Sequence, residues 1–239
     1  MKKKSGKLFL IPTFLGNTNP EDVLPAGLLP RISHLTGFVV EEVKTARRFL
    51  RKIGYLKNFD EVVFMELNEH TPDDTIFSYL NDVEKGNDIG LMSEAGVPCV
   101  ADPGNKIVKL AHEKQIEVIP LVGPSSILLA LMASGLNGQN FSFCGYLPIK
   151  NQEKILKIKE LEQKSKKENQ TQIFIEAPYR NMQLLTSLLQ TCQKNTLLCI
   201  ACDLTLPKQY ISTKTIDEWK KDLPGINKRA AVFLLQLLN

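Results

Sequence analysis

Three short runs of small residues carry the chemistry that this sequence can be read for. They are Ser93-Glu94-Ala95-Gly96-Val97-Pro98, Ala101-Asp102-Pro103-Gly104 and Pro120-Leu121-Val122-Gly123-Pro124-Ser125-Ser126. Each follows an apolar, strand-like run. In open α/β sheets such turns lie at the carboxyl ends of strands, where small molecules bind and main chain must approach them closely. A helix that starts there offers free N–H groups to an anion. Taken alone, the turns fit a small-molecule site and ordinary tight turns equally well. A second pattern is cationic. Lys44, Arg47, Arg48, Arg51 and Lys52 fall at i, i+3, i+4, i+7 and i+8 on one helix stripe, with Ala46, Phe49, Leu50 and Ile53 opposite. Cations in line suit the phosphates of an RNA backbone, but on spacing alone a solvated helix face is the first reading.

Several other chemistries find no support. There is no G-x-x-x-x-G-K-[ST] run, and no G-x-G-x-x-G follows a strand. His112-Glu113 lacks the second histidine of a metalloprotease helix, and His34, His70 and His112 stand apart, so no metal is expected. Cys199 and Cys202 form a C-x-x-C on paper. They lie in a run that reads as a strand, where i and i+3 point to opposite faces, so core packing is the expected role. Five cysteines, an odd number, point to reduced thiols in the cytoplasm. After Met1-Lys2-Lys3-Lys4 the apolar run Leu8–Ile11 is cut by Pro12. No run nears the roughly 18 apolar residues of a membrane span, so neither a signal peptide nor a membrane anchor is expected.

The elements that must position these residues alternate along the chain. With 239 residues, 43% hydrophobic, there is enough chain for one large core or two smaller ones. The net charge of +4 permits a polyanionic partner without requiring one. Strands are expected at 8–11, 38–40, 62–65, 89–92 and 118–122, with helices at 45–53, 75–85 and 102–114 between them. Helices at 125–134, 151–167, 181–191 and 216–221 then alternate with strands at 141–146, 173–175, 197–202 and 230–238. This alternation predicts an α/β protein. The first half reads as a mainly parallel sheet and the second, with less helix between its late strands, as a mixed one. A junction near Gly123 gives two α/β domains, 1–122 and 123–239.

The three small-residue runs closely resemble the S-D-A-G-T-P, S-D-P-G and P-L-P-G-P-S-A blocks of the bacterial small-subunit rRNA (cytidine-2′-O)-methyltransferase family, in the tetrapyrrole-methylase superfamily. Pro12-Thr13-Phe14-Leu15-Gly16-Asn17 resembles its T-P-I-G-N loop, and Glu41-Glu42 with Thr45, Arg47 and Arg48 resembles A-E-D-T-R-x-T-R-R. Asn68-Glu69, Gly145-Tyr146-Leu147-Pro148, Glu176-Ala177-Pro178-Tyr179-Arg180 and Asp203-Leu204-Thr205 follow in the same order. Two departures stand out: Glu94 replaces an Asp, and Cys202-Asp203-Leu204-Thr205-Leu206 replaces R-E-L-T-K with loss of both basic residues.

The resemblance implies a cleft between two domains that holds S-adenosylmethionine. Its contacts would be Pro12, Ser93, Glu94, Ala95, Gly96, Pro98, Ser125, Ser126, Tyr146, Leu147, Ala177, Pro178, Ala231 and Val232. Glu42, Glu69 and Glu176 become candidate bases or substrate orienters for methylation of a ribose 2′-OH. Lys44, Arg47, Arg48, Arg51 and Lys52 become candidate RNA contacts. A homodimer and an rRNA or small-subunit partner are implied as well. Two other readings stay open: a small-molecule methylase of the tetrapyrrole type, and a non-catalytic RNA-binding or assembly factor that keeps the fold.

Overall fold

A computed structural model describes residues 5–68 and 70–238. The chain forms two compact units, Met1–Ser125 and Ser126–Asn239. Among the described residues no helix is long and apolar enough to cross a membrane.

Unit 1 runs β1 (Lys7–Ile11), α1 (Pro20–Val23), α2 (Leu28–Ile32), β2 (Gly37–Val40), α3 (Val43–Lys52), β3 (Val63–Glu66), α4 (Asp73–Ser78), α5 (Asn81–Glu84), β4 (Ile89–Met92), α6 (Asn105–Glu113) and β5 (Glu117–Pro120). The five strands are ordered β3-β2-β4-β1-β5 and every pair is parallel. Alternate residues of a strand point to opposite faces, and a parallel sheet needs both faces covered. Phe9, Ile11, Phe38, Val40 and Met92 accordingly pack with Ala46, Phe49 and Leu50 of α3. On the other face Leu8, Val39, Ile89 and Leu91 pack with Ile76, Leu80 and Val83 and with Ile107, Leu110 and Ala111 of α6. The helical pattern expected over 75–85 is divided between α4 and α5. The break falls at Tyr79, whose hydroxyl donates to the Glu66 carbonyl and ties the chain to the end of β3.

Unit 2 runs α7 (Ser126–Ser134), β6 (Phe141–Tyr146), α8 (Asn151–Glu168), β7 (Thr171–Ile175), α9 (Asn181–Thr191), β8 (Leu197–Cys202), β9 (Tyr210–Thr215), α10 (Ile216–Trp219) and β10 (Ala231–Gln236). Its sheet is ordered β6-β7-β10-β8-β9, with β6 and β7 parallel and the other pairs antiparallel. The mixed sheet expected for this half is therefore present. Strand β9 has no counterpart in the sequence reading. It lies at the sheet edge with every residue half-buried, so no apolar run marks it. The core stacks Phe174 on Phe233 at 6.0 Å between centroids, and the Trp219 indole N–H donates to the Leu198 carbonyl at 2.8 Å. Cys199 and Cys202 are wholly buried in β8; desolvation pushes both thiols up, Cys202 to about 11.

The ends of β1 and β5 approach closely at Gly123, where an added Cβ would sit 2.2 Å from the Pro12 Cβ. Gly123→Ala should therefore lower unfolding stability by about 1–3 kcal/mol, as overpacking does. At Gly138 a Cβ meets nothing within 4 Å, and Gly138→Ala should be neutral or slightly stabilising. Urea midpoints that shift equally for both variants would contradict the close approach.

Candidate active site

All five strands of unit 1 run the same way, so the residues that follow them gather along one sheet edge: Pro12 after β1, Glu41 after β2, Leu67 after β3, Ser93 after β4 and Leu121 after β5. Two of these loops are joined by hydrogen bonds. The Thr13 N–H donates to the Gly96 carbonyl at 2.8 Å, and the Gly96 N–H donates to the Phe14 carbonyl at 3.3 Å. Gly96 has φ +77°, and a Cβ there would lie 3.0 Å from Leu15 and 3.1 Å from the Pro124 carbonyl, so the turn depends on glycine. Beside this joint opens a cavity of about 450 Å³, walled by Thr13–Asn17, Thr45, Ala46, Arg48, Phe49, Lys52 and Met92–Ala95. The Pro12 loop, the Ser93 turn and helix α3 thus share one cavity. Ser93, Glu94 and Ala95 line it, whereas Gly96 and Pro98 shape the turn behind them.

The carboxylates at this edge are held in different states. Glu42 caps α3: its Oε1 accepts from the Lys44 N–H at 2.9 Å and its Oε2 from the Thr45 N–H at 2.8 Å and the Thr45 hydroxyl. Those bonds, the hydroxyl first, hold its carboxyl below the ordinary glutamate value. The Glu41 carboxylate accepts the Glu94 N–H at 2.9 Å, and its own pKa is raised, chiefly by desolvation. Glu94 is raised by desolvation and then by the charges of Glu41 and Glu42, with Thr45 acting the other way. Asp102 is raised by desolvation too; its Oδ1 accepts the Gly104 N–H at 2.7 Å and its buried Oδ2 has no side-chain or main-chain hydrogen bond of good geometry among the described residues. Glu41, read in the sequence only as part of a resemblance, and Phe14, Phe49 and Met92 of the cavity wall were not singled out there. The signal available was position: each lies at a strand end or on the inward side of α3. Glu69 lies outside the described residues.

The cationic stripe of α3 is exposed, yet its members are engaged differently. The Arg51 guanidinium lies 3.9 Å from the Phe59 ring centre and Nη1 donates to the Tyr55 carbonyl at 2.7 Å. Arg47 lies 5.5 and 5.1 Å from the Phe59 and Phe64 rings. Lys52 donates to Asn17 Oδ1 at 2.7 Å beside the Phe14 ring. Arg48 faces the cavity, and Lys44 is exposed at the start of the helix.

In unit 2 the pairings Tyr146↔Ile175, Val232↔Ile175 and Ala231↔Cys202 bring Tyr146, Ala177, Ala231 and Val232 to one end of the sheet. Leu147 is buried in the core just beyond β6, and Pro178 opens a short 3-10 turn. Ser126 begins α7, directly after Ser125. Glu176 is buried rather than free: its Oε1 accepts from Arg180 Nε at 2.9 Å, Arg180 Nη2 at 2.7 Å and the Ala177 N–H at 2.7 Å. The altered block at Cys202–Leu206 is closed by an ion pair, Arg229 Nε to Asp203 Oδ2 at 2.7 Å.

No family model matches the chain. Ribosomal RNA small subunit methyltransferase I of Streptococcus pyogenes serotype M6 is 31% identical over 205 residues, covering 85% of this chain and 67% of that protein. The protein of the same name from Buchnera aphidicola subsp. Schizaphis graminum is 28% identical over 235 residues, covering 97% and 78%. Among solved structures, the methyltransferase CobJ superposes with a TM-score of 0.65 at 18% identity, covering 97% of this chain and 94% of that one. Cobalt precorrin-4 methyltransferase CbiF gives 0.60 at 13% identity, covering 96% and 94%. The structural likenesses show the two-unit α/β fold. The identity to the streptococcal protein, sustained over two thirds of its length, shows more: this chain belongs to the ribosomal RNA small subunit methyltransferase I family.

Proposed function

We propose that the protein transfers the methyl group of S-adenosylmethionine to a ribose 2′ oxygen of small-subunit rRNA. The observation that carries this reading is the unit 1 cavity, where a carboxyl of raised pKa, two cations and two aromatic rings share one wall. Its volume of about 450 Å³ lies in the usual range for small-ligand sites and suits a single nucleoside. Phe14 and Phe49, edge to face at 5.0 Å, offer the apolar floor against which a base packs. Arg48 and Lys52 at the rim face the phosphates on either side of that nucleoside. The names of the curated relatives supply the substrate class.

The residues present fit the methyl donor in each unit. In unit 1 the Gly96 turn leaves no room for a side chain, so the main chain beside Ser93–Ala95 can be approached closely at the cavity wall. In unit 2 open space surrounds Gly145, next to Tyr146 and Leu147, and the small residues Ala177 and Ala231 stand at the same sheet end. When bound, S-adenosylmethionine supplies a methyl group already activated by its sulfonium. What is left to the chain is alignment and removal of a proton. Glu94 serves as the proton acceptor: it lines the cavity, while Glu42 is committed to capping and Glu41 to the Glu94 main chain. Glu94 stays exposed at the cavity wall, where partial desolvation and then the charges of Glu41 and Glu42 make it a stronger base than an ordinary glutamate.

Helix α7 supports a homodimer. A helix apolar all round is normally covered on every side, yet Leu128 and Met132, one turn apart, are 51% and 80% exposed. A second copy would cover them. A small-subunit rRNA substrate fits a cytoplasmic protein.

Glu94→Gln should lower kcat for methylation of small ribosomal subunits by about 100- to 10,000-fold, the usual weight of a general base, while calorimetry shows S-adenosylhomocysteine bound as before. The working form of Glu94 is deprotonated and its pKa is raised. Wild-type kcat/KM should therefore start to fall on acidification above the ordinary glutamate range, and the variant should lack this limb. A wild-type profile flat through that range would remove Glu94 from the chemistry. Arg48→Gln should reduce the salt dependence of RNA binding by roughly 0.7–0.9 in the log–log slope with the fold intact. Arg51→Gln should instead lower stability by about 0.5–1 kcal/mol through its lost contact with Phe59; the reverse pattern would contradict the division of the cations. Met132→Glu should shift the light-scattering mass in solution from dimer to monomer, and a wild type that is already monomeric would discard the dimer.

A further inference from the structure

We propose that the end of the unit 2 sheet carries a second RNA contact, in which Tyr179 and Arg180 form a stacking platform for an unpaired base and Lys228 meets a phosphate. The inference rests on the rRNA reading above and extends it to a surface outside the unit 1 cavity. Tyr179 is 68% exposed, so its ring is left in water at this end of the unit 2 sheet, apart from the donor-side Tyr146. Arg180 lies 5.1 Å from the Tyr179 ring centre, and its Nη1 donates to the Tyr179 hydroxyl at 3.1 Å. The guanidinium cannot wander, because Nε and Nη2 both donate to Glu176 Oε1, and the Glu176 side chain is wholly buried. Ring and guanidinium are thus fixed against each other before any ligand arrives, so little ordering entropy opposes stacking.

One further observation points to a ligand, while the buried Glu176 serves only to hold the Arg180 guanidinium in place. Lys228 is exposed and forms no ion pair among the described residues, and its N–H donates to the Pro178 carbonyl at 3.0 Å, which fixes its backbone beside the platform. Glu176 is already neutralised by Arg180, so the patch keeps the positive charge of Lys228. An aromatic face, a fixed guanidinium and an unpaired lysine match a single-stranded nucleic acid, which offers base faces and phosphates together. Glu176 acts as a positioning residue for Arg180.

The test is fluorescence anisotropy of the full chain with a labelled single-stranded RNA oligonucleotide, beside calorimetry with S-adenosylhomocysteine. Tyr179→Ala should weaken RNA binding about 5- to 150-fold, the range for one lost base stack, with donor affinity unchanged. Tyr179→Phe keeps the ring and should restore most of the affinity, and Lys228→Gln should lower the salt slope by about 0.7. Tyr179→Ala that binds RNA like wild type overturns the platform. So does Tyr179→Ala that loses S-adenosylhomocysteine to the same degree, since the ring would then serve the donor. Wild type that methylates small subunits while Tyr179→Ala keeps the same KM refutes the platform alone. Wild type that neither binds RNA nor methylates subunits refutes the rRNA reading, and the platform with it.

Discussion

The parallel pairing of β4 between β1 and β2 is the constraint from which the unit 1 site follows. Ile11 and Val40 both stand level with Met92, so the chain leaves three adjacent strands at the same height. Whatever follows those strands must share one edge. That edge receives the Thr13 loop, the Glu41-Glu42 pair and the Ser93 turn, and the Thr13–Gly96 hydrogen bond then locks two of them together. An antiparallel partner for β4 would have delivered its following loop to the opposite end. The buried β4, covered on both faces, gives this arrangement its rigidity. A site built on such ends needs little further ordering when ligand arrives.

Electrostatics at that edge follows from how each carboxylate spends its lone pairs. Glu42 gives both oxygens to the first turn of α3 and is stabilised in its charged form. Glu41 gives one oxygen to the Glu94 main chain, which draws the Ser93 turn toward β2 and leaves two glutamates close together. Glu94, though exposed, is partly desolvated beside like charge, and both favour its neutral form. The sign has a consequence for folding. A carboxyl whose folded pKa is raised binds its proton more tightly in the native state, so its contribution to stability declines as pH rises through the window between the unfolded and folded values. Glu41, Glu94 and Asp102 all act in this direction, whereas Glu42 acts in the opposite one. Stability given up near neutral pH at one sheet edge is a common accompaniment of a working site.

Much of this was legible in the sequence, for identifiable reasons. Strands 141–146 and 197–202 and helix 181–191 were delimited by turns and by apolar spacing, and they stand in the structure with those limits. The α/β class and the contrast between a parallel and a mixed sheet followed from how much helix separates the strands. Strand β9 was not legible, because Tyr210–Thr215 is half-buried throughout and carries no apolar run. The short helices α1 and α2 fill a segment whose prolines and glycine gave no periodic signal. For the site, residue types were legible and their commitments were not. Glu42, Glu94 and Glu176 are three glutamates in turn-like settings, yet one caps a helix, one lines a cavity and one is buried against an arginine. Such differences depend on long-range partners that spacing does not reveal.

The cations of α3 show how a pattern of one kind can serve two ends. Arg47 and Arg51 lie over Phe59 and Phe64, so their planar heads cover aromatic surface that the sheet edge would otherwise leave to water. Guanidinium suits this role because it is weakly hydrated and stacks. Arg48, one residue on from Arg47, turns to the cavity instead. Stacking on one aromatic face leaves a guanidinium's other face and outer N–H groups accessible, so packing does not by itself withdraw Arg47 and Arg51 from phosphate. It does fix where they stand. Helix α3 thus contributes its apolar side to the core, its flank to the aromatic cluster and its cavity-facing residues Thr45, Arg48 and Lys52 to the site. Because one rigid helix carries all three, a disturbance of the Phe59–Arg51 contact reaches the cavity through the helix itself, without any separate path between them.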